Sequence, residues 1–221
     1  MRNKTMCKNY RGEFMFYFLL VLLCPLDTQA VDVAITEDID SVKVVHNGTN
    51  VTIMRNQNPD NIINPAYAKT SRKCPPFCIQ PVTIAEGVET IGELELLDYL
   101  KRINAGDSSI LVVDSRTQDW VEKGTIPGSV NIPWTALNPG AGADPFTISD
   151  IFKERFGVRT SEGLWDFSGA KTLILFCNGL WCGQSPSNIR SLLVFGYPAS
   201  KLKWYRGGMQ DWESLGLTVV K

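Results

Sequence analysis

The residues with most chemistry to offer are Cys177 and Cys182, in the run L-I-L-F-C-N-G-L-W-C-G-Q-S-P from Leu173 to Pro186. Leu173 to Phe176 is a short apolar run of buried-strand type, which puts Cys177 at a strand's C-terminal end. Ser185 suits a helix N-cap and Pro186 the first helical turn; Leu192, Leu193 and Phe195 supply an apolar face, and Gly196 marks the end. The loop residues Asn178, Gly179, Leu180, Trp181, Cys182, Gly183 and Gln184 therefore wrap a helix N-terminus. Unpaired N–H groups and the helix dipole favour an anion at such a place. A thiol there is expected to have a lowered pKa and to serve as a sulfur nucleophile. The competing expectation is an inert buried cysteine. Trp181 fits either a contact to substrate or partner, or packing beneath the loop.

The 221 residues allow one domain of ordinary size plus an extension, and 44% hydrophobic content is enough for a real core. A net charge of −1 gives no electrostatic footprint for nucleic acid. Residues 1–30 have the layout of a secretory signal peptide: basic Arg2, Lys4, Lys8 and Arg11, an apolar run from Phe14 to Cys24, and small residues in Thr28-Gln29-Ala30 for cleavage after Ala30. A signal anchor is the alternative, and Leu23-Cys24 resembles a lipoprotein box only weakly. That segment holds four basic and two acidic residues, so its loss would take the net charge from −1 to −3. The expectation is an exported protein, periplasmic or secreted, with no membrane association after cleavage.

Cys7 and Cys24 would leave with the signal, and Cys74, Cys78, Cys177 and Cys182 would remain as two close pairs. Their pairing is not fixed by spacing, and zinc ligation has no further support in the sequence. In Cys74-Pro75-Pro76-Phe77-Cys78 two prolines stiffen the backbone. This segment is either a local disulfide or a dithiol exchanging with the Cys177 loop; oxidation on export favours the bridge.

Three regions are expected: the signal at 1–30, a β-hairpin extension and Cys-Pro linker at 31–81, and an α/β domain at 82–221. In the extension, Ser41–Val45 and Thr49–Ile53 flank His46-Asn47-Gly48, a hairpin signal. His46 is read as a surface turn residue rather than a ligand, and Asn3, Asn47 and Asn50 begin glycosylation sequons. Asn56 to Pro81 reads as extended linker. Beyond it, helices are expected at Glu93–Asn104, Gln118–Lys123, Thr147–Phe156 and Met209–Leu215, and strands at Ile110–Asp114, Ser129–Ile132 and Leu202–Tyr205. Arg159–Gly169 reads as irregular, with Trp165 and Phe167 tucked onto the core. Strands alternating with helices imply a parallel sheet, with ligands at the carboxyl ends of its strands.

Four segments in this order resemble the rhodanese-like domain family. Leu111-Val112-Val113-Asp114-Ser115-Arg116 is similar to the family's strand ending in Asp-x-Arg, and Gly124 to Pro133, G-T-I-P-G-S-V-N-I-P, to its G-H-I-P-G-A-x-N-I-P. Cys177 follows the central strand where the family's catalytic cysteine stands, and Tyr205 to Trp212 resembles its C-terminal G-G-x-x-x-W. The resemblance covers about residues 88 to 220. It implies a three-layer α/β fold with a central parallel sheet, here preceded by a small β-rich extension, and sulfane-sulfur transfer through a cysteine persulfide without a cofactor. Asp114 and Arg116 would support the strand end structurally.

Two departures stand out. Thr125 replaces the family's common His. The loop from Cys177 to Gln184 has eight residues, carries no Arg or Lys, and contains Cys182 instead. Without an Arg to grip phosphate, the phosphatase activity of long-loop relatives is disfavoured. Three functions follow. The first is an exported sulfurtransferase acting on thiosulfate or another sulfane donor, whose partners are a small sulfur-containing anion and a thiol acceptor. The second is a thiol–disulfide or sulfur-redox protein in which Cys182 resolves Cys177, and Cys74 and Cys78 pass electrons to a partner protein. The third is a non-enzymatic binding module, disfavoured by the presence of Cys177.

Overall fold

In the computed structural model, which describes residues 33–221, the core is a five-stranded sheet. The strands are β3 (Glu89–Ile91), β4 (Ile110–Asp114), β5 (Val130–Asn131), β8 (Thr172–Phe176) and β9 (Leu202–Tyr205), in the order β3-β9-β8-β4-β5. Every neighbouring pair is parallel. The central strand β8 places Phe176 opposite Asp114 on one side and Tyr205 on the other. The run that precedes Cys177 is thus the middle of the sheet.

Side chains alternate across a strand, and β8 divides its own between two cores. Ile174 and Phe176 pack with Ile91, Ile110 and Val112, under helices α2 (Glu93–Asn104) and α6 (Gly208–Ser214). Leu173 and Leu175 pack on the opposite face with Val113, Trp204 and the helices α4 (Pro145–Asp150) and α5 (Gln184–Val194). This is the expected three-layer α/β arrangement. Helix α2 shows why its sequence folds locally: Leu96, Leu97 and Leu100 form one buried stripe, Glu93 and Glu95 sit in the first turn, and Lys101 and Arg102 in the last. The Glu95 carboxylate also accepts the Gly92 N–H at 3.0 Å.

The hairpin of β1 (Ser41–His46) and β2 (Thr49–Met54) turns through Asn47 and Gly48, both at positive φ (49° and 77°), as a two-residue primed turn requires. Its inward residues Val42, Val44 and Ile53 share a core with α2, and the described residues pack as one compact unit. His46 does more than sit at a turn: its Nδ1 accepts the Gly128 N–H at 3.2 Å and ties the hairpin to the loop after α3 (Gln118–Val121).

Several expectations are corrected. Residues 56–81 are not an extended linker throughout, because Pro65–Ala68 forms a short helix, α1, capped by the Asn64 side chain, and Tyr67 is buried. Arg159–Gly169 is not irregular: β6 (Arg159–Ser161) and β7 (Leu164–Asp166) form a hairpin through Glu162 and Gly163, both at positive φ. The helix expected at Thr147 starts at Pro145 behind an Asp144 cap and widens into a π-helical stretch, Ile151–Arg155. Strand β3 went unread. The signal segment, Cys7, Cys24 and the Asn3 sequon lie outside the described residues. No helix among the described residues is long and apolar enough to cross a membrane.

Candidate functional site

Cys177 leaves the end of β8 into a loop held on three sides. Beneath it lies a charged network. Asp114 and Arg116 form a fully buried ion pair, 2.6 Å from Oδ2 to Nη2, with a second contact from Nε to Oδ1 at 2.8 Å. Thr125 donates its hydroxyl to Asp114 Oδ2 at 2.7 Å, supplying a donor at the place where the family often has His. The Arg116 guanidinium also donates to the Gly124 carbonyl, the Tyr67 hydroxyl and, at 3.4 Å, the Asn178 side-chain oxygen. Arg116 is therefore committed beneath the loop. Its two partners with neighbouring chain segments, Tyr67 and Asn178, make Asp114–Arg116 the support of both the loop and the α1 segment.

Beside the loop stands the N-terminus of α6. Met209 N–H donates to the Cys177 carbonyl and Gln210 N–H to the Asn178 carbonyl, both at 3.0 Å. So close an approach requires glycine. Gly208 has φ +58°, and a Cβ there would fall against the Cys177 carbonyl and 2.8 Å from the Gly179 nitrogen. The G-G-x-x-x-W segment is thus a clamp on the cysteine loop.

Over the loop runs the segment that was read as linker. Cys74 and Cys78 are joined in a disulfide, while Cys177 and Cys182 are free. Gln80 N–H donates to the Leu180 carbonyl at 2.8 Å, and Arg206 holds the Gln80 and Pro81 carbonyls. This brings Phe77 against Trp181, ring centroids 5.6 Å apart. Trp181 is fixed further by Nε1 donating to Gln210 at 2.9 Å and by the Arg72 guanidinium, 3.9 Å from the ring centroid. It also lines a cavity of about 350 Å³ together with Phe77, Trp120, Trp134 and Cys182. Trp181 is thus pinned by the loop's surroundings, the packing expected of it, and it also presents its ring to a cavity.

Ser185 departs from its expected role. The helix begins at Gln184 with Gly183 at the cap, so Ser185 lies inside the first turn. Its hydroxyl does not cap the helix. It donates to Cys177 Sγ at 3.1 Å and accepts the Trp204 indole N–H at 3.1 Å. Trp204, a fully buried residue of β9, thereby orients the hydroxyl toward the sulfur. Sequence reasoning missed Trp204, and an aromatic in a core strand carries no signal of such a task.

Burial alone would raise the Cys177 thiol, which is 2% exposed. The side-chain hydrogen bonds from Cys182 and Ser185 and the N–H groups of Ser185 and Gly179 overcome it and bring the thiol down to about 7. Cys182 is driven the other way, by its own burial and by its place beside the Cys177 thiolate, although the Asn178 and Gln184 N–H groups face it. The loop N–H groups are therefore shared between two sulfurs, and the anion is placed on Cys177. Among the described residues no group of His, Cys, Asp or Glu is arranged to hold a metal ion.

The model of the rhodanese-like domain matches residues 96–215. A helix-turn-helix-type transcriptional regulator of Mycobacterium tuberculosis is 25% identical over 122 residues, 55% of this chain and 42% of that protein. The chain thus spans less than half the length of that curated relative. Among solved structures, a rhodanese-related protein of Thermoplasma volcanium is 19% identical, with 60% of this chain and 97% of that one covered at a TM-score of 0.37. A human single-domain sulfurtransferase is 22% identical, with 57% and 96% covered at a TM-score of 0.33.

Proposed function

The chain belongs to the rhodanese-like domain family, and on that premise we propose that it transfers sulfane sulfur through a persulfide on Cys177. The observation that carries this reading is the position of Cys177 at the end of β8, its Sγ accepting the hydroxyl of Ser185 in the first turn of α5 at 3.1 Å, with its thiol brought down to about 7. The thiolate attacks the outer sulfur of a donor. A sulfur–sulfur bond forms to Cys177, the donor's own bond to that sulfur breaks, and the remainder leaves with the electron pair. The Ser185 hydroxyl and the N–H groups near Cys177 stabilise the persulfide anion. An acceptor thiolate or cyanide then takes the outer sulfur and restores the Cys177 thiolate. No general base is required for the attack, since the thiol is ionised in substantial part near neutral pH.

A second reading is favoured by one observation: the two free cysteines share one loop, with Cys177 Sγ 3.4 Å from the Cys182 carbonyl, and their pKa values are pushed apart. In a thiol–disulfide mechanism Cys177 is the attacking sulfur and Cys182 the resolving one. Export to a periplasmic or extracellular compartment goes with either reading and is supported by the Cys74–Cys78 disulfide.

The deciding experiment is peptide mass spectrometry of the protein under non-reducing conditions with thiol trapping. Incubation with a sulfane donor is expected to add one sulfur atom to the Cys177 peptide. Dithiothreitol and cyanide should remove it, and Cys177→Ser should not acquire it. A Cys177–Cys182 disulfide accumulating instead, with no cyanide-labile sulfur, overturns sulfur transfer in favour of the redox reading.

A further inference from the structure

We propose that the aromatic cavity beside the loop binds the organic part of the sulfur compound, so that the donor is an organosulfur molecule with an apolar or aromatic substituent. This rests on the sulfur-transfer reading and names its substrate class. The cavity of about 350 Å³ is walled by Phe77, Trp120, Trp134 and Trp181, brought together from four separate stretches of chain. Its volume is at the lower end of small-molecule sites. No Lys, Arg or His of the described residues lines it. Arg72 and Lys123 stack on the Trp181 and Trp120 rings, 3.9 Å and 4.1 Å from their centroids, and neither is part of the lining itself. A bare inorganic dianion would exchange most of its water for ring faces and a few neutral polar groups, with no charged group in the lining to pair with, which is unfavourable. An apolar or aromatic group gains by the same exchange.

The cavity also carries its own marker for sulfur. Cys182 forms part of the wall, while Cys177, whose Sγ lies 3.4 Å from the Cys182 carbonyl, is 2% exposed and does not. An organic tail held among the rings leaves its sulfane sulfur at the Cys182 end, next to the Cys177 thiolate. With an arenethiosulfonate, the thiolate attacks the outer sulfur. The bond from that sulfur to the sulfonyl sulfur breaks, and arenesulfinate leaves with the electron pair, so no oxidant or reductant is consumed.

The test compares benzenethiosulfonate, methanethiosulfonate and thiosulfate as donors, each rate divided by that donor's rate with a small free thiol. In parallel, benzenesulfinate binding to Cys177→Ser is measured by tryptophan fluorescence and calorimetry. The expected result is a kcat/KM for the aromatic donor at least about tenfold above the methyl one. That ratio should fall about threefold or more in Phe77→Ala and in Trp134→Ala. Thiosulfate working as well as the aromatic donor, with no benzenesulfinate binding, overturns the cavity's role while leaving sulfur transfer standing. Benzenesulfinate binding that weakens in Phe77→Ala, with no persulfide from any donor, supports the cavity and overturns the transfer reading instead.

Discussion

Ser185→Ala removes one hydroxyl and tests how the sulfur is ionised. The hydroxyl donates to Cys177 Sγ at 3.1 Å in a site that is fully buried. A hydrogen bond to a charged group is worth about 1.5–3 kcal/mol, and one pKa unit corresponds to about 1.4 kcal/mol. The thiol, brought down to about 7 in the wild type, should therefore rise by roughly one to two units. At pH 7 the thiolate fraction would drop from about one half to between about a tenth and a hundredth. The same substitution strands the Trp204 indole N–H, at a cost of about 1–3 kcal/mol of stability. The assay is the pH dependence of far-ultraviolet thiolate absorbance, paired with alkylation of the Cys177 peptide read by mass spectrometry. Near-ultraviolet circular dichroism checks that the variant is folded. A folded Ser185→Ala whose Cys177 titrates where the wild type does would refute the argument: the hydroxyl would then not be what holds the thiolate.

Three other outcomes are expected. Gly208→Ala should lower stability by about 2 kcal/mol or more and abolish persulfide formation, because its Cβ meets backbone atoms of Cys177 and Gly179 at positive φ; urea denaturation and the cyanolysis assay read both. Asp114→Asn leaves the Arg116 guanidinium buried without its anion and should cost about 3–5 kcal/mol in urea denaturation. Burial lowers the His46 pKa below its ordinary 6.5, so the folded state binds fewer protons than the unfolded state at mildly acid pH. Its contribution to stability is therefore complete above about pH 6.5 and is lost as pH falls through the lowered folded value. The stability difference between wild type and His46→Gln should shrink over that window, and a difference independent of pH would count against the Gly128 contact.

Where chemistry depended on local pattern, the sequence was readable. The short apolar runs of β4 and β8 and the stripe of α2 each mark an element by its own local pattern, and the strand–loop–helix around Cys177 follows from punctuation by Gly, Ser and Pro. What escaped reading depends on distant partners. Strand β3 has three residues and exists because β9 pairs with it. The hairpin of β6 and β7 turns on Glu162-Gly163, without the Asn or Asp that usually announces such a turn. The Asn- and Pro-rich stretch before Pro81 has a linker's composition; the Tyr67 hydroxyl reaching Arg116 and the Gln80 N–H reaching Leu180 are what fold it onto the loop. Ser185 was placed in the right turn and given the wrong partner, because capping preference says nothing of a sulfur across the sheet end.

The way the cavity is closed has a kinetic consequence. Its cover joins residues far apart along the chain: Gln80 to Arg206 across 126 positions and Tyr67 to Gln210 across 143. Contacts of such long range form only after the intervening loops have been closed, which slows them relative to local structure. Refolding should therefore restore helical signal first and the quenching environment of Trp181 last. In a chain emerging from the ribosome, the cysteine loop would exist for a time without its clamp and without the Arg206 and Gln210 contacts that hold its cover. During that interval the two thiols are open to solvent oxidants, and a chain that completes α6 slowly has the longest window for a wrong disulfide.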